Sequence, residues 1–204
     1  NILTSNNSYG NSSEGFYFET SSSNILTSNN SYGNSSFGFS FGESSSYNTI
    51  TSNNSYGNGN DGFHFDTGSS YNTLTSNNSY GNSDNGFSTV DSSNITLTSN
   101  NSYSNTSYGF SLDKPNNTLT SNSSYSNSLV GFRISSSYNI LTSNNSYGNK
   151  YGLYILYSTS TIIINDNYGG KGENTIADVY FGDITYGSQI RCYSCNLASA
   201  TETA

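Results

Sequence analysis

One block of eleven residues, in its fullest form N-x-[LI]-T-S-N-N-S-Y-G-N, returns along this chain at a nearly constant interval, which restricts the fold more than any other feature. Its aliphatic residue falls at Leu3, Leu26, Ile50, Leu74, Leu97, Leu119 and Leu141, with a degenerate eighth copy at Ile162. The successive spacings are 23, 24, 24, 23, 22, 22 and 21 residues. A second block, G-F-x-F, keeps the same beat at Gly15, Gly38, Gly62, Gly86, Gly109, Gly131 and Gly152. Two markers with one period define a single structural unit.

A period of this length also suits a leucine-rich repeat. Within the unit, however, apolar residues alternate with period two and no 3.6-residue stripe appears. Phe16/Phe18, Phe39/Phe41, Phe63/Phe65 and Phe110/Leu112 stand two apart, separated by the variable Tyr17, Ser40, His64 and Ser111. The constant aromatic then faces in and the variable residue faces out. Asn, Ser and Gly occupy the places where a helix would have to start. The expectation is an all-β, single-stranded parallel β-helix, a solenoid of about eight triangular rungs spanning residues 1–165. Rungs stacked at roughly 4.8 Å make a rod on the order of 40 Å long. Residues 166–204 break the period and form an irregular cysteine-containing tail. The Asn/Ser bias alone would suggest disorder, but disorder does not come with regularly placed Leu and Phe.

Stacking puts like on like. Asn6, Asn29, Asn53, Asn77, Asn100, Asn122, Asn144 and Asn165 are expected to form one amide ladder, each side chain bonding its neighbours above and below. Tyr9, Tyr32, Tyr56, Tyr80, Tyr103, Tyr125, Tyr147 and Tyr168 form a second column, expected to face inward.

Charge excludes some partners. The net charge is −8 with five Lys or Arg, which argues against nucleic acid, because phosphate binding relies on clustered cations. No apolar run reaches 18 residues, so no membrane insertion is expected. No signal peptide precedes the repeat, which begins at Asn1 as in a processed chain or a fragment. Glu19, Glu43, Asp66, Asp91 and Asp113 run beside the Phe strand, with Arg133 beyond them. Calcium would screen such a column, and a solvated acidic edge explains it equally. The column changes register at Glu43 and Asp91 and no long loop interrupts the repeat, so neither an enzyme nor a cofactor is expected. His64, the one histidine, has no second ligand at metal spacing and reads as a surface residue. A T-x-T array at Thr49/Thr51, Thr73/Thr75, Thr96/Thr98 and Thr118/Thr120 offers a flat outward lattice for ice or carbohydrate, though Thr is also simply a good strand residue. Among the N-x-[ST] sequons, Asn11, Asn34, Asn94, Asn105 and Asn116 are the glycosylation candidates.

Repeats of the form N-x-L-T-x-N-N followed by G-[FIL]-x-[FIL] resemble the parallel β-helix repeats of archaeal surface proteins, methanogen sheath or surface-layer subunits among them. Pectate lyases share that fold. The resemblance covers residues 1 to about 165 and implies a right-handed coil. It is weak for function, because one fold hosts lyases, hydrolases, adhesins and structural layers.

The two ends read as strand edges, with Ile2, Leu3 and Thr4 at one and Phe181 and Ile184 at the other, and uncovered edges invite head-to-tail addition. Cys192 and Cys195, if extended, lie too far apart to bridge and would link neighbouring chains; a tight turn would join them locally. The function expected from sequence is therefore an extracellular, cell-surface structural protein whose partner is itself. Its copies would join end to end in a sheath, layer or filament, with glycans attached. The alternatives are an ice or carbohydrate binder on the Thr face, and a β-helix polysaccharide lyase or hydrolase.

Overall fold

The computed structural model describes residues 1–158, 160–168, 174–182, 189–193, 195–196 and 200–202. Each coil contributes three short strands, and three parallel sheets of nine, seven and nine strands run the length of the stack. The first sheet begins with Ile2–Thr4, Ile25–Thr27 and Thr49–Thr51; the second with Asn7–Tyr9, Asn30–Tyr32 and Asn54–Tyr56; the third with Phe16–Phe18, Phe39–Phe41 and Phe63–Phe65. Each strand pairs with its equivalent one coil on, in register, Leu74 against Ile50 and Leu97, Phe87 against Phe63 and Phe110. No helix of the described residues is long and apolar enough to cross a membrane.

A three-residue strand turns one face inward, and each sheet has its own inward residue. In the first sheet it is the repeated Leu or Ile, fully buried from Leu26 to Leu141. In the third it is the outer pair of F-x-F; Phe39, Phe63, Phe87, Phe110 and Phe132 stack ring on ring at 4.8–4.9 Å. Each such buried side chain contributes about 1.5–3 kcal/mol. In the second sheet the inward residue is serine, not tyrosine. Tyr9, Tyr32, Tyr56, Tyr80, Tyr103, Tyr125 and Tyr147 face outward, stacked 4.8–5.1 Å apart and within 7° of parallel. The reason is space at the corner. Ser55 Oγ donates to Gly62 O (2.8 Å) and Ser79 Oγ to Gly86 O (2.8 Å), while the glycines of the third sheet approach so closely that an added Cβ would lie 1.9 Å from a serine Oγ. In these seven coils a tyrosine turned inward would collide with the glycine backbone that the serine touches.

The corners hold the polar groups, and asparagine ladders occupy all three. Asn29 through Asn144 form the expected ladder between the first and second sheets, each amide donating to the next side-chain oxygen at 2.9–3.3 Å. A second ladder, Asn11, Asn34, Asn58, Asn82, Asn105, Asn127 and Asn149, lines the corner before the third sheet. A third runs through Asn1, Asn24, Asn48 and Asn72; Ile95 then interrupts it, and Asn117 and Asn139 resume the column. Backbone strain is concentrated beside them. Ser28, Ser52, Ser76, Ser99, Ser121 and Ser143 all take φ near +56°, a conformation that side chains other than glycine rarely adopt. Each of these turns is held by a bond to the next coil, such as Ser52 N to Thr75 O at 3.0 Å.

The eighth coil differs from its sequence alignment by one residue. Leu141 pairs with Ile163, not Ile162, and Asn144 is followed in the ladder by Asp166, not Asn165. Asn165 is exposed at φ +54° in the serine-turn position. Because Asn145 bridges to Asn167, Tyr168 falls in the serine position, and it is fully buried with its hydroxyl donating to Asp166 at 2.5 Å. The described tail also adds strands. Ala177–Gly182 extends the third sheet and is itself covered by Ala200–Glu202, so Phe181, opposite Glu202, is not the outer edge. Ile184 lies outside the described residues.

Asp166 places a carboxylate where every coil before it has an amide. Burial raises its pKa to about 6, partly offset by the donors Tyr168 and Asn144. A raised carboxylate stabilises the fold most when protonated, so stability falls as pH rises from about 4 to about 6 and levels off above. Asp166→Asn is expected to raise the melting temperature at pH 7.5 by the equivalent of about 2–3 kcal/mol, with the gain shrinking towards pH 4. Thermal unfolding at both pH values checks this, and a pH-independent difference would assign another cause.

Candidate functional site

Over the first seven coils, every charged side chain belongs to the third-sheet segment and its corners; the strands of the first and second sheets carry none. The prism therefore has two uncharged faces and one charged face. On the charged face the outward column runs Tyr17, Ser40, His64, Ser88, Ser111, Arg133. It is flanked by the corner residues that precede each glycine, Glu14, Phe37, Asp61, Asn85 and Tyr108. These two variable columns are where the coils cease to be alike.

The third coil is the most specialised. His64 Nδ1 lies 2.8 Å from Asp61 Oδ2 across the corner, and the Asp61 side chain is only 4% exposed. The other oxygen of Asp61 accepts from Asn85 N (2.9 Å) and Asn85 Nδ2 (2.8 Å), so the carboxylate is fully engaged. A carboxylate that accepts at this oxygen takes its hydrogen bond from Nδ1, which leaves Nε2 as the ring's other nitrogen. Phe37 from the preceding coil stacks on the imidazole at 4.0 Å and 15°. Sequence had placed His64 on the surface. It is in the outward column, but half-buried and oriented by a buried acid.

His64 opens on a groove of about 390 Å³ that reaches back over the first two coils, lined also by Tyr17, Phe37 and the carboxylates of Glu14, Glu19, Glu43 and Asp66. Hydrogen bonds hold its near wall. The Tyr17 hydroxyl donates to Glu19, which pushes its pKa up to about 12, and Ser13 donates to Glu14, which lowers that carboxyl. Further along, burial and the charge of Asp61 raise the Asp84 carboxyl. Beyond the groove two cations are paired, Lys114 with Asp91 at 2.7 Å and Arg133 with Asp113, with Arg133 also over the Tyr108 ring. The expected acidic column thus divides into groove carboxylates and ion-paired ones. Among the described residues no three His, Cys, Asp or Glu side chains come together to hold a metal ion.

The remaining candidates lie elsewhere. Asn34 and Asn105 are buried ladder members whose amides are bonded above and below. Asn11 is exposed but shares that ladder. Asn94 and the exposed Asn116 occupy the same positive-φ corner as Tyr47, Tyr71 and Tyr138. Ile2 is 74% exposed, with Leu3 and Thr4 in the same strand. Cys195 is disulfide-bonded, and the side chain of Cys192 lies outside the described residues. The Thr columns face outward as expected.

The model of the right-handed beta helix region matches residues 1–114. No curated protein sequence matches the chain. Among solved structures, the periplasmic alginate epimerase AlgG superimposes with a TM-score of 0.76 at 17% identity, covering 94% of this chain and 48% of its own. The A-module of the Azotobacter vinelandii mannuronan C-5 epimerase AlgE6 gives 0.77 at 19% identity, covering 90% and 53%. Pectate lyase Pel9A gives 0.54 at 13% identity, covering 99% and 69%. This chain spans about half the length of the two epimerases. Identities this low speak for the coil alone, and all three similar structures are named as enzymes.

Proposed function

The chain belongs to the right-handed β-helix family, and from that premise we propose that its charged face binds a polysaccharide and carries out acid–base chemistry on it. The observation that carries this reading is the Asp61–His64 pair, an imidazole held at Nδ1 by a buried acid on the most specialised coil of the charged face. The ring lines a groove, and the groove runs along the sheet as an extended chain ligand would. The names of the three similar structures support a saccharide as the ligand class. A location outside the cytoplasm belongs to the same proposal, since one of them is named periplasmic.

The test is incubation of the purified chain with cationic, neutral and anionic polysaccharides, with products read by mass spectrometry. Turnover of one class is expected, reduced roughly 10²–10⁴-fold in His64→Gln while binding persists. Absence of binding and of turnover across all classes would reject the proposal, as would full turnover by His64→Gln.

The uncharged faces favour a second reading, lateral packing of copies into a layer, because no like charges oppose it there. Light scattering across concentration tests this, with growth that a Tyr80→Lys/Tyr103→Lys double variant abolishes as the expected result; monomers at every concentration would exclude it.

A further inference from the structure

The groove beside His64 fixes more than the class of its ligand. Glu14 and Glu19 come from the first coil, Glu43 from the second and Asp66 from the third, and no Lys or Arg lines the space between them. The nearest cations along the sheet are already paired. An anionic chain laid here would meet carboxylate with carboxylate at every coil, a repulsion that only added cations could relieve. A bound divalent metal does not fit that role, because the carboxylates are distributed from coil to coil and do not converge as a ligand set. Coils repeat at roughly 4.8 Å, close to the rise of one sugar in an extended β-linked chain. Phe37 and Tyr17 add aromatic surface that receives sugar C–H groups and ammonium ions alike.

We propose that the ligand of this groove is a cationic polysaccharide, a chain of sugars bearing free amines, with successive ammonium groups meeting the carboxylates of successive coils. This rests on the reading of the charged face as a polysaccharide site. The groove and the Asp61–His64 pair define that site, and the carboxylates decide the sign of charge it accepts. It also separates this chain from its similar structures, two of which are named for alginate or mannuronan.

Calorimetry on the whole chain tests it, using glucosamine oligomers, their N-acetylated counterparts, mannuronate oligomers and oligolysine of matched length. The titrations are run below the amine pKa and at two salt concentrations. The glucosamine oligomers are expected to bind at least tenfold more tightly than the other three, and more weakly at high salt. Glu43→Gln should cost roughly two- to fivefold in that affinity, the size of one exposed ion pair, with the circular dichroism spectrum unchanged. Preference for the acetylated or the mannuronate oligomers overturns the charge assignment while leaving a saccharide groove in place. Equal binding of oligolysine overturns it too, reducing the groove to an acidic patch. No binding of any saccharide overturns the polysaccharide reading itself.

Discussion

Asn77→Ala is expected to destabilise the coil by about 3–5 kcal/mol, near the top of what single substitutions do. The Asn77 amide donates to Ile50 O at 2.8 Å and Asn100 Oδ1 at 3.0 Å, and its oxygen accepts from Asn53 N at 2.9 Å and Asn53 Nδ2 at 3.0 Å. Alanine removes all four bonds at a fully buried corner that water cannot reach. It also orphans partners in the coils on both sides, and each orphan costs about 1–3 kcal/mol. Denaturant unfolding of the variant measures the loss. A change below 1 kcal/mol would mean that the ladder merely accompanies the fold. Asn78→Ala, which takes one half-buried amide out of the outward-facing row on the second sheet, is the control and should cost little.

Gly86→Ala is expected to cost about 2–4 kcal/mol although it adds a single carbon. That carbon would stand 1.9 Å from Ser102 Oγ and 2.7 Å from Gly109 O. Neither can retreat easily, because Ser102 Oγ is itself bonded to Gly109 O at 2.8 Å. Gly81→Ala supplies the contrast. It meets nothing within 4 Å and suffers only its φ of +63°, worth about 1 kcal/mol. Adding Ser102→Ala to Gly86→Ala should recover part of the loss, because it removes the nearest clashing atom. If the double variant is no more stable than Gly86→Ala, close packing of sheet against corner is not the cause.

The sequence discloses the coil because each inward residue repeats itself. Leu26 and Leu74, or Phe63 and Phe110, announce their sheet and register by recurrence alone. Where repetition lapses, so does legibility. The eighth coil reads Thr161-Ile162-Ile163-Ile164, a run without alternation that fits two registers. Packing and hydrogen bonding chose the one that buries Ile163 and puts Asp166 in the amide column. The tyrosine column was visible, but which of Ser and Tyr turns inward depended on the approach of glycines seven residues further on. Asp61 and His64 went unpaired in sequence because a lone histidine suggests no site. The signal was present in the corner position before glycine, which reads Glu14, Phe37, Asp61, Asn85 and Tyr108 in five successive coils without repeating a residue.

The fold has no inherent address. Most of its coils present the same leucine, the same serine and the same three amides, so a strand arriving one coil too early would satisfy nearly every bond available to it. Only the departures from uniformity distinguish right from wrong. Ile95 fits one place in the third ladder, Asp61 finds Asn85 one coil on, and Asp166 meets Tyr168. These irregular coils act as index marks on an otherwise unnumbered scale. The residues that make the charged face chemically particular therefore also count the turns, and a chain made fully uniform would be free to wind out of step with itself.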